Sequence, residues 1–354
     1  MKIIHTSDIH LASPLTAHLG AQKLARRARE LEESFADICQ RGEELGAEAM
    51  IIAGDLFDSQ RITAKNLDTV LAIIERHSGI TFFYLSGNHE RDALARNAGS
   101  LPENLKLFGN DWTYFSLGGI MLAGACETSA DMFSRLRLGD GKNIVVLHGE
   151  LRDRSDEGGV IGIKDCANLP IDYMALGHYH SYQRIPLAKG EAVYSGTPEG
   201  RGFDEAGDKG FCLIDVSEAG VIHRFIPSAK RRLIIAEADI SEALSTSLVE
   251  RRIEARVGSI GSENLVRVLL TGSRELDLRL DLNIIKSRFE RQFFYFEIKD
   301  TSRLVTRAED YMYDKSVRGE FIRLCMADST LSDEERQRII HCGLAAMAGE
   351  AFDE

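Results

Sequence analysis

Lys2-Ile-Ile-His-Thr-Ser-Asp8-Ile-His10 and Ala49-Met-Ile-Ile-Ala-Gly-Asp55-Leu-Phe-Asp58 are the stretches that decide the fold. Each is a short apolar run that breaks off into a turn bearing acidic groups, joined by His10 in the first. A run of this length and composition reads as a strand buried on both faces. The same design recurs three times. Thr81–Ser86 leads into Gly87-Asn88-His89-Glu90, Ile144–Leu147 into His148-Gly149-Glu150, and Tyr173–Leu176 into Gly177-His178-Tyr179-His180. Further strands are expected at Ile120–Gly124, Ala192–Tyr194, Gly210–Val216 and Val221–Ile226, and helices at Ala21–Gly46 and Thr63–His77. Doubly buried strands separated by helices predict a layered α/β β-sandwich flanked by helices.

Beyond Pro227 the composition shifts at Ser228-Ala-Lys-Arg-Arg232, read as a polar hinge. A strand at Leu233–Ala238, a helix at Ser241–Val257, a strand at Leu265–Leu270, a helix at Leu276–Phe293 and a strand at Tyr295–Lys299 follow. That order predicts a small βαβαβ domain over 229–302, after a first domain over 1–228. Residues 303–354 are expected to form a helical tail. Val317, Phe321 and Leu324 repeat at i, i+4, i+7, as do Ile340, Leu344 and Met347. Ser332 and Glu335 make a capping box for the last helix.

Composition narrows the function classes. Hydrophobic residues are 44% and charged residues 28% of 354, an ordinary balance for a chain that fills a sizeable core. No apolar run reaches the roughly 18 residues of a membrane span, and no basic-then-apolar leader opens the chain, so a cytoplasmic protein is expected. Six scattered cysteines without a CxxC pair indicate neither a zinc knot nor a disulfide framework. A net charge of −12 argues against broad adhesion to nucleic acid, although a local basic rim can still serve a cleft.

The chemistry lies at the strand ends, where ligands sit in α/β sheets. Five loops deliver Asp, Asn and His side chains to one edge. In Asp8-x-His10 and His178-x-His180 the spacing of two lets both side chains point the same way. Mixed Asp, Asn and His ligation suits divalent manganese, iron or zinc. Asp55, whose loop lies between the others, is the natural bridge between two ions, which would clamp the attacking and leaving oxygens of a phosphoryl group.

These five motifs, in order, resemble those of the calcineurin-type metallophosphoesterase superfamily: D-x-H, G-D-x-x-D, G-N-H-[DE], H and G-H-x-H. The segments His5–Pro14, Gly54–Asp58, Tyr194–Arg201 and Gly207–Gly210 are similar to those of SbcD-like DNA repair exonucleases, and Asp333–Met347 is similar to tails of the YhaO-like branch. The resemblance implies one ion held by Asp8, His10, Asp55 and His180, and a second by Asp55, Asn88, His148 and His178. It implies that His89 positions the scissile phosphate or protonates the leaving oxygen. The implied reaction is phosphodiester hydrolysis by an activated hydroxide, on DNA, with two divalent ions: manganese first, with iron, zinc or magnesium as alternatives. An SMC-like coiled-coil ATPase is the implied partner, and a homodimer the implied assembly.

The pattern departs from some family members at Asp58, where they carry a His; Asp58 and Arg201 are the candidate substrate contacts. Asp58-Ser-Gln in place of Asp-Arg-Gly counts against a phosphoprotein substrate. A phosphatase or cyclic-nucleotide phosphodiesterase on the same dinuclear site is the competing reading. Arg152, Arg154, Lys164, Arg184, Arg201 and Lys209 form either a phosphate-binding rim or a solvated one. Glu90 and Glu150 are expected to accept from histidine N–H groups, with a surface role competing, whereas His5, His18, His77, His223 and His341 are read as structural or surface.

Overall fold

A computed structural model describes residues 1–354 except 12, 14, 16–18, 59–62, 88–93, 95–100, 155–157, 276–277, 279, 306–310 and 349–354. The chain divides into two compact units, Met1–Leu233 and Ile234–Glu354.

The first unit is built on strands β1 (Lys2–Thr6), β2 (Ala49–Ala53), β3 (Thr81–Leu85), β4 (Leu105–Leu107), β5 (Thr113–Leu117), β6 (Ile120–Gly124) and β7 (Lys142–His148). They are followed by the short pair β8 (Glu150–Arg152) and β9 (Val160–Gly162), then β10 (Tyr173–Gly177), β11 (Gln183–Pro186), β12 (Glu191–Tyr194), β13 (Gly210–Ser217) and β14 (Gly220–Pro227). One six-stranded sheet has the order β14-β13-β1-β2-β3-β4, and the other β11-β12-β10-β7-β6-β5. Period-2 geometry sorts their side chains. Ile3, Ile51, Phe83, Ile144, Val146 and Ala175 fill the space between the sheets. Ile4, Met50, Ile52 and Phe82 point outward against helices α1 (Ala21–Leu45) and α2 (Ala64–Arg76). This is the expected α/β sandwich. Within these two sheets the strands that went unread, β4, β5 and β11, are short or polar edge strands, and β11 ends on Pro186, which donates no ladder hydrogen bond; the short pair β8 and β9 also went unread.

Register sets where the loops emerge. β1, β2 and β3 run parallel, Ile3 opposite Ala49 and Ala49 opposite Thr81. Likewise β7 and β10 are parallel, His148 opposite Gly177.

In the second unit β15 (Leu233–Asp239), β16 (Leu265–Thr271) and β18 (Tyr295–Asp300) form a three-stranded sheet, and β17 (Ser273–Glu275) pairs with β19 (Arg303–Val305). Its core joins Val249, Ile253, Val266, Val268, Ile285 and Phe289. Its helices α5 (Thr246–Val257) and α6 (Leu282–Phe289) start later than the apolar patterns suggest. Ser245 and Asp281 take the N-cap positions and accept from Leu248 N, and from Asn283 N and Ile284 N. The short helices α3 (Met132–Arg135) and α4 (Ile163–Cys166) belong to the first unit.

The last helices are α7 (Val317–Ala327) and α8 (Asp333–Ala348), and Ser332 caps α8 with Glu335 as expected. The stripes divide differently. Ile340 and Leu344 are buried with Tyr311, Ile322 and Cys325, whereas Val317, Leu324 and Met347 are exposed. Gly343 lets the Phe321 ring lie against α8, which turns the Ile322 side of α7 inward. No helix among the described residues is long and apolar enough to cross a membrane.

The supposed hinge holds an ion-pair network. Arg231, 6% exposed, binds the Glu30 carboxylate through Nε (2.8 Å) and Nη2 (2.7 Å). Arg27, 1% exposed, reaches Glu30 (3.2 Å), Glu199 (2.5 Å) and the Gly200 carbonyl (2.7 Å). Arg231 looks solvated in sequence because its acidic partner, Glu30, lies 201 positions away. Removing one partner strands a buried charge, at a cost of about 3–5 kcal/mol. Arg27→Met should therefore lower unfolding stability by that amount in urea titrations followed by circular dichroism. A loss under about 1 kcal/mol would show that the network carries little of the fold's stability.

Candidate metal centre

Beyond β1 and β2 the chain continues as two paired loops. Asp8 N donates to Gly54 O (3.0 Å), His10 N to Asp55 O (3.0 Å) and Leu11 N to Leu56 O (2.9 Å). Asp8 and Asp55 are thereby buried side by side. The second sheet supplies the histidines. His148 closes β7, and His178 and His180 follow β10. The His178 backbone N–H donates to both Asp8 carboxylate oxygens (3.0 Å each). Gly177 has no room for a Cβ, which would strike the Ala53 carbonyl oxygen and the His148 ring. The loops thus meet in a seam between the ends of two sheets, where the sequence suggested one edge.

Asp8, His10 and His180 place ligand atoms within 4.8 Å of one another, as do Asp8, Asp55 and His148. His10 Nε2 lies 3.2 Å from His180 Nε2. Asp55 Oδ2 faces a histidine of each group, His10 Nε2 at 3.8 Å and His148 Nε2 at 3.3 Å. The His178 ring stands edge-on to His148, centroids 5.6 Å apart. Asn88, His89 and Glu90 lie outside the described residues.

Two observations show that this donor set fits divalent cations. The first is electrostatic. Burial pushes the Asp8 carboxyl above its ordinary range, with Asp55 adding to the rise. Burial alone would depress His148, but Asp55 and Asp8 outweigh it and lift the imidazole to about 9. Without a cation, the paired carboxylates draw in protons to offset their charge. The second is conformational. Asp8 (φ 51°), His10 (φ 50°), Asp55 (φ 51°) and His178 (φ 113°) all have positive φ, which costs non-glycine residues on the order of 1–3 kcal/mol each. Among the described residues the fifth such position, Glu242, lies outside the first unit.

The family profile for calcineurin-like phosphoesterases matches residues 1–182, more than half of the chain. The chain belongs to that family. Its members are metal-dependent hydrolases with a dinuclear centre. A Bacillus subtilis protein named uncharacterized metallophosphoesterase YhaO is 25% identical over 296 residues, 77% of this chain and 72% of the relative. The DNA double-strand break repair protein Mre11 of Methanosarcina acetivorans is 28% identical over 273 residues, 68% of this chain and 41% of the relative. A subunit of the nuclease SbcCD from Bacillus subtilis is 27% identical over 258 residues, 58% of this chain and 64% of the relative. The chain therefore matches less than half the length of the archaeal protein.

The phosphoesterase orients its histidines through their far nitrogens, and sequence reading missed most of these supports. His148 Nδ1 meets the Ala53 carbonyl oxygen at 3.0 Å, which presents Nε2 to Asp55. His180 Nδ1 meets Glu205 Oε1 at 2.7 Å. Ser7 Oγ donates to Asp8 Oδ2 (2.5 Å) and lies 2.9 Å from Ser195 Oγ. Tyr194 OH donates to Gly149 O and accepts from Leu151 N, pinning the turn after His148. Glu150, expected to serve a histidine, instead accepts from Arg152 (2.8 Å). The signals for these supports were the His5–Pro14 segment, which holds Ser7, and the Tyr194–Arg201 segment, which holds Tyr194 and Ser195, both singled out by resemblance and not by chemistry; Glu205 lies in neither.

Of the candidate substrate contacts, Asp58 is half-buried, with its N–H donating to Leu11 O (3.3 Å). Arg201 donates to Glu205 and to Ser13 Oγ, and its guanidinium lies beside the His180 ring. Lys209 is not on a rim: it is buried, with Nζ donating to the His180 carbonyl (2.5 Å).

These environments give the metal-free protein a defined pH dependence. The His148 pKa is raised from its ordinary 6.5 to about 9, so its contribution to stability is complete below 6.5 and is lost as pH climbs through 9. In excess chelator the melting temperature should fall between pH 7 and 9. Saturating manganese should flatten that fall, because the cation replaces the proton. A melting temperature in chelator that stays level across this range would contradict the coupling of His148 to the buried carboxylates.

Proposed function

We propose that this phosphoesterase is a nuclease that hydrolyses DNA phosphodiester bonds with two divalent ions, manganese being the working metal. The observation that carries the reading is the seam of buried Asp8 and Asp55 with His10, His148, His178 and His180 around them. Relatives named as part of a nuclease and as double-strand break repair proteins support DNA as substrate. In this reading Asp8, His10, Asp55 and His180 hold one ion, and Asp55, Asn88, His148 and His178 the other, with Asp55 as the bridge. When bound, the ions supply Lewis acidity toward phosphoryl oxygens and a water nucleophile near neutral pH. His89 orients the scissile phosphate or delivers a proton to the leaving oxygen, and Asp58 contacts the substrate near the loop pair.

Three measurements test this. Purified protein with manganese should degrade labelled DNA with higher catalytic efficiency than it hydrolyses small chromogenic diesters, and should lose affinity for DNA as salt rises. Efficient cleavage of cyclic nucleotides or phosphopeptides with intact DNA would move the assignment to a phosphatase or small-molecule phosphodiesterase. Asp55→Asn should retain neither ion fully in elemental analysis, and two full equivalents would remove Asp55 from the bridging position. His89→Gln should keep both ions and lose on the order of 10²–10⁴-fold in turnover.

The second unit we assign to partner binding, with residues 303–354 as a docking segment for an SMC-like coiled-coil ATPase and the active assembly a homodimer. The exposed Val317 and Leu324 on α7 are the support, since an apolar face normally ends up covered. The tail from Asp328 carries seven acidic and two basic residues, so a helical partner suits it better than nucleic acid. Val317→Glu with Leu324→Glu should leave manganese-dependent cleavage by the isolated chain unchanged and abolish co-purification with the ATPase. Undiminished co-purification would clear this face of the role.

A further inference from the structure

Residues 194–210 lie outside the five ligand loops, yet they converge on His180. Glu205, 5% exposed, places Oε1 2.7 Å from His180 Nδ1. The same carboxylate accepts from the Arg201 backbone N–H (2.7 Å), Nε (3.0 Å) and Nη2 (2.5 Å). Lys209 Nζ holds the His180 carbonyl oxygen. The segment is itself fastened: Arg201 Nη1 donates to Ser13 Oγ (3.1 Å), and Arg27 grips Glu199 and the Gly200 carbonyl.

We propose that Glu205 is a positioning residue of the metal centre, acting through His180, and that Arg201 serves by holding Glu205 and not by binding substrate. The inference rests on the assignment of His180 as a ligand. Its logic is one of donors and acceptors. A carboxylate paired with a guanidinium has only lone pairs to offer, so the nitrogen facing it must carry the hydrogen. Arg201 Nη2 also approaches His180 Nδ1, at 3.1 Å, but a guanidinium has only donors, so both N–H groups aim at the one Oε1. With its hydrogen on Nδ1, the ring presents the Nε2 lone pair to the cluster, 3.2 Å from His10 Nε2 and 4.0 Å from Asp8 Oδ1. A carboxylate behind a ligating imidazole also raises its basicity. A Gln at this position offers a weaker acceptor, and its amide N–H₂ meets either Arg201 or His180 as donor against donor.

The test titrates manganese into the metal-stripped full chain by calorimetry. In Glu205→Gln one of the two binding events should weaken by roughly 10–100-fold and the other stay within about twofold. His180→Ala should weaken the same event, and adding Glu205→Gln to it should cost nothing further, because the residue it acts through is gone. Losses that add in the double variant, or native affinity in Glu205→Gln beside a weakened His180→Ala, would overturn the positioning role while leaving the metal site intact. Two native events in His180→Ala would instead defeat the ligand assignment, and the inference with it. Should Glu205→Gln not fold, Glu205→Asp keeps the charge on a shorter arm. It should bind with an affinity between wild type and the losses above, and wild-type binding there would overturn the proposal.

Discussion

Asp8 and Asp55 are held next to each other with almost no solvent, and most of what surrounds them follows from that placement. Two carboxylates in a poorly screened volume repel each other and are each costly to ionise. The chain answers at several levels. The backbone N–H of His178 points at both Asp8 oxygens, the Ser7 hydroxyl donates to Asp8, and His148 leans on Asp55. The loops themselves stay paired well past the strand ends, so neither acid can swing toward water. What remains is a demand for positive charge, which a hydrolase of this family meets with divalent ions.

The supports come in a pattern. Among the described residues, the candidate ligands that follow one strand are oriented by groups from another part of the chain. β2 supplies the carbonyl that sets His148, and the chain after β12 supplies Ser195 and Glu205. Tyr194 reaches back to the turn that carries His148. The centre is therefore braced from both sheets, and small shifts in how they stack would reach the ligands through several hydrogen bonds at once.

The β1 and β2 stretches announce the sandwich in sequence because doubly buried parallel strands are continuously apolar and end abruptly in polar turns. The candidate ligands are legible for the same reason: chemistry at a strand exit interrupts the apolar pattern. Glu205, Ser195 and Arg27 are not legible. Their partners lie 25, 188 and 172 residues away, and nothing in a local window separates a buried Glu in a Gly-rich loop from an exposed one. Arg231 misleads for that reason. The apolar stripe on α7 misleads differently, since Gly343 opposite Phe321 rotates the helix onto its Ile322 side, and a heptad-like count on one helix cannot anticipate its neighbour.

His10 and His180 touch across 170 residues, and Glu205 lies farther on still. On a ribosome, the amino-terminal half of this domain would emerge with its acids and no histidines from the second sheet to meet them. Loop closure of that span is slow, and contacts so distant form late. Ion capture must then be an end point of folding and not its nucleus: a half-made chain has no reason to retain a divalent ion. A cell short of the metal would accumulate completed domains in which the strained turns at Asp8, His10 and Asp55 go uncompensated, so the metal supply would be felt in the lifetime of the protein as well as in its catalysis.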